Sequence, residues 1–391
     1  MIKLIKSTFY KEKELKRKLI KFISSSEKLS IGEECRRFEE NFAKWQGRKY
    51  CVMVNSGSSA NLAIIQSLLN LGRIKKGDCV GFSAVTWSTN VMPLMQLGLI
   101  PIPIDVELNT LNVSSKKFKD AVKKYKLKMF FLTNLLGFCD DIDKIAEICN
   151  RKKIILIEDN CESLGTIYKG KKLGNYGLAS TFSFYVGHHM STIEGGAVCT
   201  DSPSLETMLQ IVRAHGWDRN LTERKQLKIR IKHNVNSTFY SRYTFYDLGY
   251  NLRTTEIQGF IGNMQIKYLD EIVGKRKENF IKMMAPINKR KDLYYSLKTD
   301  HIDLISNFAI PVICRSKKIR DALVKKCDGK VEIRPIVGGD MQEQPFFQKY
   351  SKMSFSNLNA KLIHEQGLYL PNNPELEEKE IKQIMNIFTK E

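Results

Sequence analysis

The stretch Ser180-Thr181-Phe182-Ser183-Phe184-Tyr185-Val186-Gly187-His188-His189-Met190-Ser191-Thr192-Ile193-Glu194-Gly195-Gly196-Ala197-Val198-Cys199 decides how this chain is read. Two short stretches, 180–184 and 197–199, have strand character, and between them lies a polar loop closed by a pair of glycines. Working outward, further strand candidates fall at 50–54, 80–82, 129–133 and 154–158. Helical periodicity separates them, as at Leu62, Ile65 and Leu69 and again at Ile142, Ile145 and Ile148. After Lys153 the run to Ile157 is apolar throughout, as a strand covered on both faces should be. Such alternation predicts an α/β fold: a mostly parallel sheet with helices on both sides.

Beyond Asp201 the pattern changes. A long helix is expected over 254–281, with apolar positions at Ile257, Phe260, Ile261, Met264, Ile266 and Leu269. Strands are expected at 308–313 and 331–333, then a helix over 375–389. This gives a large α/β domain over 1–265 and a smaller C-terminal α+β domain over 266–391.

Composition narrows the function classes. The chain has 391 residues, 42% of them hydrophobic and 27% charged, which suits a globular enzyme and excludes collagen-like and low-complexity classes. No run of 18 apolar residues suggests a membrane span, and residues 1–24 lack the apolar core of a secretory signal. Nine cysteines with no CxxC pair read as reduced, buried thiols of a cytoplasmic protein. The net charge of +21 raises the question of nucleic acid, but the lysines are scattered and no nucleic-acid-binding motif accompanies them. A basic surface also suits a polyanionic small substrate such as a nucleotide diphosphate.

Three more segments carry chemistry. Asn55-Ser56-Gly57-Ser58-Ser59-Ala60-Asn61 follows a strand and opens a helix, where small residues and free N–H groups either bind a phosphate or simply cap the helix. Trp87, in the polar loop 86–90, either stacks on a flat heteroaromatic ring or plugs the fold. Asp159 ends a buried strand, where it either pairs with a protonated pyridine nitrogen or caps a turn.

In this order and at these separations, the four segments resemble the sugar aminotransferase family of vitamin-B6-dependent enzymes, with the fold of aspartate aminotransferase (fold type I). The resemblance covers essentially the whole chain. The family motif SFxxxK followed by (D/E)GG places the lysine that forms a Schiff base with pyridoxal 5′-phosphate (PLP). Here Ser183-Phe184-Tyr185-Val186-Gly187-His188 and Glu194-Gly195-Gly196 match it, with His188 in the lysine position and no lysine between Lys172 and Lys225. This exchange is similar to that of the nucleotide-sugar 3-dehydratases that work with pyridoxamine 5′-phosphate (PMP), as is Arg213-Ala214-His215-Gly216-Trp217-Asp218-Arg219-Asn220.

The resemblance implies a cofactor held without a covalent bond and His188 as the catalytic acid–base. It implies removal of the C3 hydroxyl from a nucleotide-linked 4-keto-6-deoxyhexose, most simply GDP-4-keto-6-deoxy-D-mannose, with glutamate restoring PMP. Ser56, Gly57, Ser58 and Ser183 are expected at the cofactor phosphate, Trp87 on the ring, Asp159 at the ring nitrogen and Glu162 near the ring hydroxyl. Asn251 is expected to reach the phosphate of a neighbouring subunit, which implies a homodimer with shared sites. His215, Arg219, Arg253, Glu332 and Arg334 are candidates for the sugar and diphosphate, with surface ion pairs as the other reading. With no cysteine between Cys199 and Cys314, no iron–sulfur cluster is expected, and no other metal. A lysine-using sugar aminotransferase and a non-catalytic sugar-nucleotide-binding protein of the same fold are the competing readings.

Overall fold

The computed structural model describes residues 1–389. Seven strands form the main sheet: β1 (Tyr50–Val54), β2 (Cys79–Ser83), β3 (Ile100–Ile104), β4 (Leu127–Thr133), β5 (Ile155–Asp159), β8 (Ala179–Ser183) and β9 (Gly196–Thr200). A small hairpin, β6 (Ile167–Tyr168) and β7 (Lys171–Lys172), lies between β5 and β8. The spatial order is β1-β9-β8-β5-β4-β2-β3. All neighbours run parallel except β9, which is antiparallel to both β1 and β8.

The strands expected for this sheet are all present, and β3 is an addition. Its sequence, Ile-Pro-Ile-Pro-Ile, reads poorly as a strand, but β3 sits at the sheet edge, where proline costs no interior ladder bond. The expected helix over 254–281 is two helices, Glu256–Gln265 and Leu269–Ile287, joined by a 3-10 turn over Ile266–Tyr268. Each half packs on a different partner. The first lies on the helix Glu33–Gln46 and the second on the C-terminal helix Glu378–Thr389. A capping box between Thr255 and Gln258 starts the first.

A second sheet contains β10 (Ala309–Ile313), β11 (Arg334–Pro335) and β12 (Gly367–Pro371), in the order β10-β12-β11 and antiparallel throughout. The strand expected over 331–333 is displaced to β11, and Val331 instead bridges to Ile2. The N-terminal segment therefore packs on this smaller sheet. One apolar cluster, including Ile102, Phe130, Val312 and Leu370, runs from the main sheet into the second.

Strand alternation positions the site. Phe182 and Phe184 point to one face and meet Phe42 at ring separations of 5.1 and 5.0 Å, and Phe184 also meets Phe38 at 5.3 Å. Ser183, between them, faces the opposite side. In register, Thr133, Asp159 and Thr181 stand side by side on β4, β5 and β8, at the carboxyl ends of parallel strands. That edge is where open α/β sheets bind ligands.

The start of β9 touches the loop after β1. A Cβ added at Gly196 would lie 2.3 Å from the Ser56 carbonyl oxygen and 2.6 Å from the Gly57 nitrogen. Both are backbone atoms and cannot swing aside. We therefore expect Gly196→Ala to destabilise the fold by about 1–3 kcal/mol through overpacking, and to weaken PMP binding because residues 56–57 move. Thermal unfolding and cofactor titration check this; an unchanged melting temperature with unchanged affinity contradicts it.

Candidate active site

A cavity of about 310 Å³ opens at the carboxyl ends of β4, β5 and β8. Ser56, Gly57, Ser58, Trp87, Asp159, Glu162, Ser183, His188 and Arg334 all line it, so nine of the residues expected from sequence converge on one site.

Ser56 caps the helix Gly57–Asn70, with its hydroxyl oxygen accepting the Ser59 N–H at 3.0 Å. The first turn of that helix faces the cavity and offers N–H groups at the positive end of a dipole. Gly57 is required there, because a Cβ would come within 2.7 Å of the Ser183 Cβ.

Asp159 is 5% exposed and held from several directions. Its Oδ2 accepts from Asn61 Nδ2 at 3.1 Å and from Asn90 Nδ2 at 2.7 Å, and its Oδ1 accepts the Cys161 N–H at 2.9 Å. Every one of these donors is neutral. A buried carboxylate positioned this way suits a protonated ring nitrogen, which would supply the missing positive charge. Asn61 and Asn90 each keep a buried amide oxygen without a partner. Both lie inside the segments singled out from sequence, yet nothing in a linear sequence shows that two asparagines 29 positions apart converge on one carboxylate.

Glu162 is 8% exposed, and its Oε2 accepts the Leu136 N–H at 2.9 Å. Trp87 borders the cavity with 53% of its surface exposed. Donor groups for a phosphate, an anchor for a pyridine nitrogen and an aromatic border together fit a pyridoxal-type cofactor. No lysine is among the described residues that line the cavity.

His188 occupies the loop between β8 and β9. Its N–H donates to the Tyr185 carbonyl at 2.9 Å, and its own carbonyl accepts from Arg276 Nη2 at 3.0 Å. The ring packs against Phe308 at 5.4 Å and Tyr185 at 6.2 Å. Burial pushes the imidazole pKa down to about 4; Asp159 and the Ser183 carbonyl pull it up, while Arg276 pushes it further down. The ring is thus uncharged at neutral pH, whereas an exposed histidine would be partly charged. His189 is buried, and its Nε2 lies 3.2 Å from the Ser306 carbonyl.

Of the remaining candidates, Glu332 stands behind the cavity-lining Arg334 and the others lie elsewhere. Arg334 pairs with Glu332 at 2.6 Å, and Glu332 itself receives the Leu4 N–H at 2.9 Å. His215, Arg219 and Arg253 gather around the Trp217 ring, outside the cavity of their own chain. Asn251 belongs to the same group, accepting from Arg253 Nε at 2.9 Å. Sequence reasoning missed Leu4, Ile5, Phe308 and Tyr369, which also line the cavity. They come from the two ends of the chain, and no local signal marks them.

The family model described as the DegT/DnrJ/EryC1/StrS aminotransferase family matches residues 10–389. The chain is 35% identical over 389 residues to a GDP-4-keto-6-deoxy-D-mannose 3-dehydratase of Yersinia pseudotuberculosis, covering 98% of this chain and 97% of the relative. It superposes with a TM-score of 0.90 on a solved mutant of GDP-4-keto-6-deoxymannose-3-dehydratase with bound GDP-perosamine, at 33% identity over 99% of this chain and 100% of the other. A structure of that enzyme with a trapped PLP–glutamate geminal diamine gives a TM-score of 0.89 at 32% identity, over 99% and 100% of the two chains. With the fold, the cavity and these likenesses in agreement, the chain belongs to the DegT/DnrJ/EryC1/StrS aminotransferase family.

Proposed function

We propose that this protein is a PMP-dependent 3-dehydratase acting on GDP-4-keto-6-deoxy-D-mannose in dideoxysugar synthesis, with glutamate regenerating the cofactor. One observation carries the reading: an uncharged His188 shares the cavity with Asp159, and no lysine among the described residues lines it. This favours dehydration over the lysine-dependent amino transfer of family relatives. When bound, PMP supplies an amine for the C4 ketone and a ring that takes up electron density.

The chain's own residues do the rest. Ser56, Gly57, Ser58 and Ser183 hold the phosphate, and Trp87 covers the ring. Asp159, fixed by Asn61 and Asn90, accepts the ring N–H. His188, a neutral base at working pH, takes a proton on Nε2 and returns it to the departing C3 hydroxyl oxygen. Phe308 and Tyr185 keep water from the ring during that transfer. Arg334, with Glu332 behind it, meets the substrate at the cavity wall.

Burial raises the Glu162 pKa to about 8; the Asp159 charge adds to this and the Leu136 N–H opposes it. At neutral pH Glu162 therefore keeps its proton and can donate it to the ring hydroxyl oxygen, as a glutamine would.

The site is completed by a second copy of the chain. The helix Glu223–Lys232 buries none of its residues, and Leu227 and Ile231 are 62% and 66% exposed. Phe239, Tyr240, Tyr243, Phe245 and Leu248 extend the same segment and are also exposed. An apolar surface of this extent marks an interface. It is continuous with Trp217, Arg219, Arg253 and Asn251, which a homodimer would carry to the partner's cavity. Its cysteines, free among the described residues, fit a reducing compartment, and the enzyme works in the cytoplasm.

Three outcomes follow. His188→Asn should keep cofactor binding and lose turnover by at least about 100-fold; turnover within a fewfold of the native rate, measured by mass spectrometry of the sugar nucleotide, contradicts the role of His188. Glu162→Gln should raise the melting temperature near pH 8 and leave it nearly unchanged near pH 4. The folded protein holds a proton that the unfolded chain releases above its usual pKa of 4.5, so native stability falls as pH rises toward about 8, and glutamine removes that loss. An equal effect at both pH values contradicts it. Phe239→Asp with Tyr240→Asp should yield a monomer by sedimentation and abolish turnover; a fully active monomer contradicts the shared site.

A further inference from the structure

Residues 2–7 are tied down at both ends. At one end the Ile2 N–H donates to the Lys330 carbonyl at 2.7 Å and the Glu332 N–H donates to the Ile2 carbonyl at 2.8 Å, which makes the parallel bridge to Val331. At the other end Lys6 pairs with Glu380 at 2.6 Å and donates to the Glu375 carbonyl at 2.9 Å, while the Ser7 hydroxyl donates to the Glu375 carboxylate. Between these anchors Leu4 and Ile5 line the cavity that also holds Asp159 and His188. The Ile5 Cδ1 stands 3.7 Å from the point a Cβ on Gly187 would occupy, one residue from His188.

One carboxylate joins this segment to an arginine of the cavity wall. Glu332 Oε2 accepts the Leu4 N–H at 2.9 Å, and its Oε1 accepts from Arg334 Nη2 at 2.6 Å and from Arg334 Nε at 3.2 Å. Both carboxylate oxygens are engaged within the chain, so Glu332 acts on the position of other groups. A guanidinium fork held through two of its nitrogens is oriented before any ligand arrives.

We propose that residues 2–7 form a strap that closes the sugar side of the active site, and that Glu332 is the positioning residue that clasps the strap and Arg334 into one wall. The sugar as occupant rests on the dehydratase reading. Ser56, Gly57, Asp159, Glu162 and Ser183, assigned to the cofactor, all come from strands of the main sheet or the loops that follow them. Arg334 comes from the second sheet, and Leu4 and Ile5 come from the strap. A cofactor seated on the first set leaves the second set for the sugar. A nucleotide-linked deoxysugar presents oxygens that suit a guanidinium and a C–H face that suits Leu4 and Ile5. An apolar cover on that side also keeps bulk water from His188.

The clasp and the wall are tested separately. In the PMP-loaded enzyme, Glu332→Ala should speed amide hydrogen exchange at Leu4 by about tenfold, because the N–H loses its acceptor. The same variant should raise KM for the sugar nucleotide by about tenfold while PMP affinity stays within about twofold. A merely structural role would lower cofactor affinity and melting temperature together. Leu4→Ser with Ile5→Ser, which keeps both backbone N–H groups, should leave exchange at residue 4 as in the native protein and lower kcat/KM by about tenfold. Native exchange at Leu4 in Glu332→Ala overturns the clasp, and native kcat/KM in the double serine variant overturns the place of the strap in the site. Exchange is read without turnover, so a wrong substrate assignment would leave that result standing. If Glu332→Ala fails to fold, the double serine variant decides.

Discussion

The site is organised by a buried carboxylate that no cation among the described residues pairs with. Asp159 ends a strand that is covered on both faces, and its hydrogen-bond donors are two amides and one backbone N–H. Solvation of a carboxylate by neutral dipoles keeps it in place and leaves its field to act on a ligand. The effects are visible nearby. The Asp159 charge helps keep Glu162 protonated and partly offsets the burial that makes His188 a weak base.

The second constraint is the reversal of one strand. β9 runs against both neighbours, so the β8–β9 connection turns back over the carboxyl edge instead of crossing a face of the sheet. The period-two alternation of β8 then divides labour: Phe182 and Phe184 anchor the connection in an aromatic cluster while Ser183 faces the cavity. His188 is fixed through both its amide and its carbonyl, the latter by Arg276 from a helix that also packs on the smaller sheet. His188 is therefore tied to both parts of the fold, although it sits on a loop.

Much of this was legible in the sequence because the chemistry is concentrated in short strand-to-loop segments. The apolar run before Asp159, the small residues after β1 and the double glycine before β9 each mark a place where only certain residues fit, and Gly57 and Gly196 show the steric reason. The helix over 254–281 was misread as continuous because its apolar positions serve two different partners, which a single periodicity does not reveal. β3 was missed because its prolines argue against a strand everywhere except at an edge. Leu4, Ile5 and Tyr369 reach the cavity through long-range packing of the chain ends. The group around Trp217 lies outside the cavity, and its place in a shared site is a proposal that no periodicity of one chain reveals.

The central claim is that an imidazole stands where relatives use an amine, so the cofactor is held by contacts alone. The most direct test is to saturate the protein with PLP, treat it with borohydride, and weigh the intact chain. The account predicts an unmodified mass of 45.1 kDa and a cofactor that is lost on dialysis. A chain heavier by one reduced cofactor, with the adduct mapped to a lysine that turnover requires, would contradict it.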